Sequence, residues 1–366
     1  MCGFVGYINN KEKNKAVIEG MNRRIIHRGP DSCGYYMDDV LHMGFRRLSI
    51  IDLKSGDQPI YNEDETKVIM FNGEIYNFEE LREDLKEKGH VFKTNSDTEV
   101  VLHGYEEFGP EILQKLRGMF AFVIWDIVGK EIFIARDIFG IKPLYYAHMN
   151  DTFMFASEIK AFLDNPDFVR EINKDALKPF MTFQYNPLNE TFFKGVYKLE
   201  PRHYIKYSVD QKEKITPVEY FDIDFSGEGG VRLDDIEKTI ASSVEYHKIS
   251  DVKVGSFLSS GIDSSYIVSL LKPDDTFTVG FDHDGFDETD RAKVLSESLG
   301  IRNTKKTITS EEFFEALPKV QYYSDEPHAN LSSVPLFYLS EMAKKDVTVV
   351  LSGEGADELF GGYDTY

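Results

Sequence analysis

A cysteine at the second position, followed by the small residue Gly3, is placed to become the first residue of the mature chain once Met1 is removed. A free α-amine has a reference pKa of roughly 7.7–8.0, so a useful fraction is neutral near pH 7 and can accept the thiol proton. Cys2 would then carry nucleophile and base in one residue, as chemistry on an amide requires. A tetrahedral intermediate also needs hydrogen-bond donors, and Asn72-Gly73 supplies two, the Asn72 side-chain amide and the Gly73 N–H. Both come just past the apolar run Val68 to Phe71, where a glycine permits close backbone approach. Taken alone, Asn-Gly is more simply a hairpin turn. Arg47 can fork onto a carboxylate and Asp97, at a helix start, can hold an ammonium, although either residue by itself is ordinarily a surface ion pair.

A second chemical grouping lies far along the chain. Leu258-Ser259-Ser260-Gly261-Ile262-Asp263-Ser264-Ser265 follows an apolar run and opens a helix, so its backbone N–H groups favour phosphate oxygens. No lysine follows as in a Walker A loop, and on its own the segment would be an ordinary serine cap. Ser352-Gly353-Glu354-Gly355-Ala356-Asp357-Glu358 repeats the setting, with carboxylates suited to a magnesium-bound nucleotide, against the plainer reading of a solvated acidic loop.

The elements that must position these residues change character along the chain. The first part reads as paired short strands at Val68 to Phe71, Ala121 to Asp126, Glu131 to Ala135 and Thr152 to Phe155, an α+β layout. Two helices interrupt them, with capping boxes expected at Asn77/Glu80 and Ser96/Glu99. Residues 1–207 are expected as one domain and 208–231 as a linker containing Gly227-Glu228-Gly229-Gly230, with a second domain over 232–366. In that second domain strands at Val252 to Leu258, Thr276 to Phe281, Asn303 to Ile308 and Val347 to Leu351 alternate with helices. The helices are expected at Ser264 to Leu271, Thr289 to Leu299, after the Thr309/Glu312 capping pair, and over Pro335 to Lys344, which predicts a doubly wound parallel sheet.

Composition excludes several classes. A net charge of −21 argues against a nucleic-acid partner, since phosphate backbones are bound by clustered Lys and Arg. Two cysteines are too few for a disulfide framework in 366 residues, which fits a reducing cytoplasm, and Cys33 is expected as a buried packing thiol. The longest apolar run, Met119 to Trp125, is far shorter than the roughly 20 residues a membrane helix needs, and no secretion signal is seen.

Six segments together resemble the class II glutamine amidotransferase domain of asparagine synthetases. They are Cys2-Gly3-Phe4-Val5-Gly6, His27-Arg28-Gly29-Pro30-Asp31, Arg47-Leu48-Ser49-Ile50-Ile51-Asp52, Asn72-Gly73-Glu74-Ile75-Tyr76-Asn77, Ser96-Asp97-Thr98-Glu99 and Gly118-Met119-Phe120-Ala121-Phe122. The resemblance implies an N-terminal-nucleophile (Ntn) hydrolase fold, a four-layer αββα sandwich. It further implies Cys2 as nucleophile, Asn72 and Gly73 as oxyanion donors, and a glutamine site formed by Arg47, Leu48, Ser49, Ile50, Ile51, Asn72, Gly73, Glu74 and Asp97.

The Ser259 and Ser352 segments, with Phe281 to Glu288 and Asp325-Glu326-Pro327, resemble the ATP-pyrophosphatase synthetase domain of that family. By that likeness Ser259 to Ser265 grip pyrophosphate, and Leu258, Val279, Ser352 and Gly353 line an ATP pocket. Asp263 and Asp357 would bind Mg²⁺, and Glu354 would help form an acyl-adenylate. Ser260 departs from the commoner Ser-Gly-Gly form. The expected reaction joins glutamine, aspartate and ATP, with ammonia passing between the domains. The expected setting is cytoplasmic, and a homodimer is one candidate assembly. The family's synthetase domain is expected to continue past Tyr366 and to include a catalytic lysine. Two alternatives stand beside this reading: amidation of another carboxylate, such as a cell-wall diamino acid, selected partly by Asp325 to Pro335, and a degenerate storage or regulatory protein.

Overall fold

The structure, a computed structural model, describes residues 1–9, 14–210, 215–224, 226, 230–282 and 289–364. Of the expected Gly227-Glu228-Gly229-Gly230 linker only Gly230 is described, and of the Phe281 to Glu288 segment only Phe281 and Asp282; the rest of both lies outside the described residues. The chain divides into two compact units, 1–227 and 228–366.

In the first unit the order is β1 (Gly3–Ile8), α1 (Lys15–Arg24), β2 (Ser32–Met37), β3 (Leu41–Arg47), β4 (Ile60–Tyr61), β5 (Lys67–Ile75), α2 (Phe78–Glu87) and α3 (Asp97–Phe108). Then come β6 (Gly118–Asp126), β7 (Glu131–Arg136), β8 (Tyr145–Met149), β9 (Thr152–Ala156), α4 (Leu177–Phe183), β10 (Val196–Lys198), β11 (His203–Ser208) and β12 (Val218–Glu219). Among the described residues the strands form two six-stranded sheets, β10-β8-β9-β1-β3-β2 and β12-β11-β7-β6-β5-β4.

Period-two alternation builds the layers. Phe4 and Ile8 of β1 face a core shared with Val68 and Met70 of β5 and Val123 and Trp125 of β6. Val5 and Tyr7 point the other way, onto Ile18 and Met21 of α1. Helix α3 packs on β5 and α2 packs on α3, which completes an αββα sandwich. Gly6, between Phe4 and Ile8, makes room for the Phe155 ring, since a Cβ there would stand 2.2 Å from it.

Several expectations need correction. Asn72-Gly73-Glu74 is not past the strand but inside β5, paired with Ala121, Phe120 and Met119 of β6. The polar Asn72 and Glu74 end the apolar pattern at Phe71 although both are buried, at 1% and 8% exposure. Helix α1 was not anticipated. Cys33 is exposed, because β2 is an edge strand. Asn77 makes no side-chain cap; its amide instead donates to Lys115 O and accepts from Arg117 N–H, both at 2.9 Å. Ser96 does cap α3, accepting from Thr98 N–H, while Glu99 turns to the N–H groups of Lys93 and Thr94 rather than closing a box. Part of the expected 208–231 linker is ordered onto the first unit: β12 pairs with β11, and the Tyr220 hydroxyl donates to Arg136 O.

The second unit runs α5 (Leu233–His247), β13 (Val254–Phe257), α6 (Ile262–Leu271), β14 (Asp275–Phe281), α7 (Thr289–Leu299), β15 (Arg302–Ile308), α8 (Ser310–Ser324), α9 (Ser333–Ala343), β16 (Val349–Leu351) and α10 (Ala356–Phe360). Its strands are parallel in the order β15-β14-β13-β16. Leu258, Val268 of α6 and Ala292 of α7 pack on one face, and Phe277, Ala343 and Val347 on the other, so the sheet is doubly wound. The Thr309/Glu312 capping box is fully formed. Among the described residues no helix is long and apolar enough to cross a membrane.

Because Gly6 is packed against an aromatic ring between two bonded strands, Gly6→Ala should lower unfolding stability by about 1–3 kcal/mol through overpacking. Chemical denaturation of the two proteins, followed by the single tryptophan of the first unit's core, measures it.

Candidate active site

Cys2 immediately precedes β1, whose residues are all buried and which is bonded on both edges, to β3 and β9. The half-buried thiol lies against the backbone of Leu48: the Leu48 N–H donates to Sγ at 3.4 Å, and Sγ lies 3.5 Å from Leu48 O. Arg28 ties down the same end, its Nε donating to Cys2 O at 2.8 Å and its Nη1 to Glu158 Oε1 at 3.0 Å. Burial pushes the thiol pKa up, opposed by the Leu48 hydrogen bond, the adjacent α-amine and Arg47. The Met1 amine is driven down to about 6, chiefly by burial, with Arg28 and Lys142 adding to the effect.

Strand β5 presents donors on its open edge. The Phe71 N–H is satisfied by Gln58 Oε1 at 2.6 Å and the Ile75 N–H by Asp97 Oδ2 at 2.9 Å. Successive N–H groups alternate sides along a strand, so the Gly73 N–H projects between those two, away from β6. Beside it the Asn72 Nδ2 is buried without a hydrogen-bond partner. Such an orphaned donor is uncommon in a folded interior and marks a place where an oxygen can bind.

Charged groups gather around these donors. Asp97, the first residue of α3, is 5% exposed, and burial raises its carboxyl to about 6 against the hydrogen bonds that favour ionisation. Glu74 is raised as well, by burial and then by the charge of Asp97. Lys142 is 5% exposed and lowered by burial, with Glu74 opposing. Arg47 is already engaged: Nη1 donates to Asp57 Oδ1 at 2.9 Å, and Nη2 to Ile51 O at 3.2 Å and Asp52 O at 2.6 Å. It therefore braces the loop that follows β3, in which the Ser49 N–H donates to Asp31 Oδ2 at 2.9 Å. Leu48, Ser49, Ile50 and Ile51 thus form one loop beside Cys2, held by Arg47 and Asp31.

Two members of this site carried no assigned role in the sequence. Arg28 belongs to the His27 to Asp31 segment, yet its hold on Cys2 O depends on a fold contact. Lys142 follows Asp137, whose carboxylate accepts from the N–H groups of Phe120, Phe139, Ile141 and Lys142 and so fixes that turn. A lysine beside Pro143 carries no local signal of burial, so only the tertiary structure reveals it.

In the second unit, β13 and β16 are neighbours while the chain passes from β13 to β14 on the other side, so their carboxyl ends flank a topological switch point. Gly261 is the N-cap of α6, with its N–H donating to Ser259 Oγ at 3.1 Å; Ser264 Oγ accepts from the Ser259 N–H at 3.1 Å, and the Ser265 hydroxyl donates to Gly261 O at 2.7 Å. Ser260 and the 85% exposed Ile262 leave the turn open to solvent. Leu258 is held by its N–H to Phe277 O and by its carbonyl, which accepts from Thr278 Oγ1 at 2.8 Å, one residue before Val279. From the other loop Gly353 presses on α6, where a Cβ would stand 2.8 Å from Asp263 Cβ. The structure thus brings Ser352 and Gly353 to the serine turn. Glu354 is exposed, and Asp357 lies in the first turn of α10.

Residues 1–221 match the glutamine amidotransferase domain family and residues 235–366 the asparagine synthase family. Asparagine synthetase (glutamine-hydrolyzing) 1 of Bacillus subtilis is 47% identical, over 100% of this chain and 59% of that protein. A putative asparagine synthetase (glutamine-hydrolyzing) of Mycobacterium tuberculosis is 43% identical over 93% of this chain and 56% of its own length. For the putative asparagine synthetase (glutamine-hydrolyzing) 2 of Methanocaldococcus jannaschii the identity is 35%, over 100% of this chain and 76% of that protein. The chain spans 59% and 56% of the first two relatives. A glutamine amidotransferase unit of αββα architecture followed by a doubly wound asparagine synthase segment places the chain in the glutamine-hydrolysing asparagine synthetase family.

Proposed function

We propose that the chain forms the ammonia-releasing and ATP-binding portions of an enzyme that converts aspartate to asparagine at the expense of glutamine and ATP. The observation that carries the first half is the Asn72 amide, a buried donor without a partner. It stands beside a Gly73 N–H on the edge that also carries Asp97, whose charge is felt at the Cys2 thiol.

With Met1 removed, the α-amine of Cys2 lies beside its own thiol. Free α-amines have a reference pKa of roughly 7.7–8.0, so a useful fraction is neutral near pH 7 and takes the thiol proton. The thiolate attacks the glutamine side-chain carbon, and the oxyanion is met by Asn72 Nδ2 and the Gly73 N–H. The amine returns the proton to the departing ammonia, leaving a glutamyl thioester that water hydrolyses to glutamate. Asp97 and Glu74 hold the α-ammonium, and the Arg47 loop, Leu48 to Ile51, receives the α-carboxylate.

In the second unit an aspartate side-chain carboxylate attacks the α-phosphorus of ATP and expels pyrophosphate. Ammonia then displaces AMP from the β-aspartyl adenylate. Ser259 to Ser265 receive pyrophosphate at the start of α6, Leu258, Val279, Ser352 and Gly353 line the nucleotide pocket, and Glu354 assists adenylate formation. Mg²⁺ commonly takes one or two carboxylates plus phosphate oxygens, and Asp263 and Asp357, in the first turns of α6 and α10, fit that donor set. The ion would neutralise phosphate charge. A cytoplasmic setting agrees with two free cysteines, and a homodimer is the assembly we assign to the complete enzyme.

Cys2→Ala should abolish glutamate release from glutamine. In a chain extended through the rest of the synthetase domain it should leave ammonium-dependent asparagine formation intact. Loss of both activities, or of neither, refutes the two-site scheme, and pyrophosphate release across a panel of carboxylic acids tests the acceptor. Asn72→Ala should lower kcat for glutamine hydrolysis by about 10²–10³-fold.

The pH dependence has two opposite signs. Asp97 titrates near 6 in the folded chain against 3.8 for an unperturbed carboxyl, so between those values the folded state holds the extra proton and stability falls as pH rises. Ammonium binding needs the ionised carboxylate, so KM for glutamine should rise as pH falls below about 6, by up to about tenfold per unit. A KM unchanged from pH 7 to pH 5, roughly the window these carboxyls set, counts against Asp97 as the ammonium contact.

A further inference from the structure

Away from Cys2, four side chains from three separated segments converge. Glu63 comes from the turn between β4 and β5, His90 follows α2, and His103 and Glu106 lie one turn apart on one face of α3. One ligand atom from each lies within 4.8 Å of all the others. Glu63 Oε1 is 3.0 Å from His90 Nδ1, and His103 Nδ1 is 3.3 Å from Glu63 Oε2 and 2.9 Å from Glu106 Oε2.

We propose that Glu63, His90, His103 and Glu106 form a structural site for a borderline divalent transition ion of the Zn²⁺ class. Two imidazoles and two carboxylates match the N and O donors such ions prefer, whereas Mg²⁺ and Ca²⁺ favour oxygen donors throughout.

The surroundings supply an independent argument. Metal-bound histidines direct their second nitrogen at a carboxylate, which fixes the ring and its tautomer. His103, which is fully buried, does this: its Nε2 has no hydrogen-bond partner but faces Glu99 Oε1 at 3.5 Å, leaving Nδ1 for the ion. Glu99 is itself fully buried and held by the N–H groups of Lys93 and Thr94, each at 2.7 Å. His90 Nε2 points towards Glu107 Oε2 at 3.8 Å. The ligand carboxylates are oriented too, Glu106 by the Asn62 amide at 2.6 Å and Glu63 by the Val91 N–H at 2.9 Å.

The competing occupant is a proton. Glu63 and Glu106 face His103 Nδ1 and Glu99 faces its Nε2, so the pocket holds an excess of carboxylate that a divalent ion offsets more fully than one proton. An ion here would clasp the β4–β5 turn to α2 and α3, the helix whose first residue is Asp97.

The test is Co²⁺ and Zn²⁺ titration of the chelator-treated chain. One equivalent should bind, Co²⁺ should give visible d–d bands of a four- or five-coordinate ion without a thiolate charge-transfer band, and Zn²⁺ should raise Tm. The partly exposed ligands make safe variants, and H90Q and E63Q should each weaken binding by about tenfold or more while remaining folded by circular dichroism. Absence of bound metal establishes the proton as the sole occupant and overturns the proposal. So does a thiolate band, which would place the ion on Cys2 or Cys33, or affinity unchanged in both variants.

Discussion

Strand β1 is bonded to β3 from Gly3 to Ile8 and to β9 from Val5 to Ile8, with every residue buried. A chain terminus ordinarily frays because nothing offsets its conformational entropy. Here β1 is bonded into the sheet from Gly3 onward, so Cys2 adjoins a residue held on its strand. Everything proposed for the thiol requires that anchoring. A nucleophile carried on a frayed end would lose the orientation on which rate depends. The Arg28 bond to Cys2 O and the Leu48 N–H on Sγ act on a position already fixed by the strand.

The same burial determines the electrostatics. Asp97, Glu74 and Lys142 are each no more than 8% exposed, and desolvation drives all three towards their neutral forms. The proposed glutamine ligand, with one ammonium and one carboxylate, would supply counter-charges there in place of water. Arg47 behaves differently because Asp57 and two carbonyls already satisfy it, so it shapes the loop even before a ligand arrives. The Asn72 amide is the neutral counterpart of these charges, a donor kept dry and unpaired by the strand that carries it.

Residue types and local patterns disclosed much of this. Strand and helix periodicity located the parallel sheet, and the Thr309/Glu312 cap was visible as a spacing. Where local pattern and tertiary need diverge, the sequence misled. Asn72 and Glu74 look like the end of a strand because they are polar, yet they lie buried inside β5, where the proposed glutamine contacts call for polar groups in a dry place. Asn77 looks like a cap, but its amide is better used joining Lys115 and Arg117. Cys33 looks like a core thiol, and only the strand order shows that β2 is an edge. Lys142 and the Glu63, His90, His103 and Glu106 cluster could not be read locally, since their meaning lies in contacts between distant segments.

The second unit shows how far parallel topology alone specifies a site. In the order β15-β14-β13-β16 the chain leaves β13 in one direction and returns on its other side, so no crossover helix can cover the gap between the ends of β13 and β16. The sequence fills that gap with a serine turn and a glycine loop, and Gly353 lies so close to Asp263 that any side chain there would force the loops apart. Small residues are therefore required by the approach of two backbones, and the approach brings N–H groups from a helix start towards one point. Acidic residues beside such a point are unfavourable for a bare phosphate. They become favourable when a hard cation accompanies it, which is the ground on which Asp263 and Asp357 enter the proposed site for a Mg²⁺-bound nucleotide.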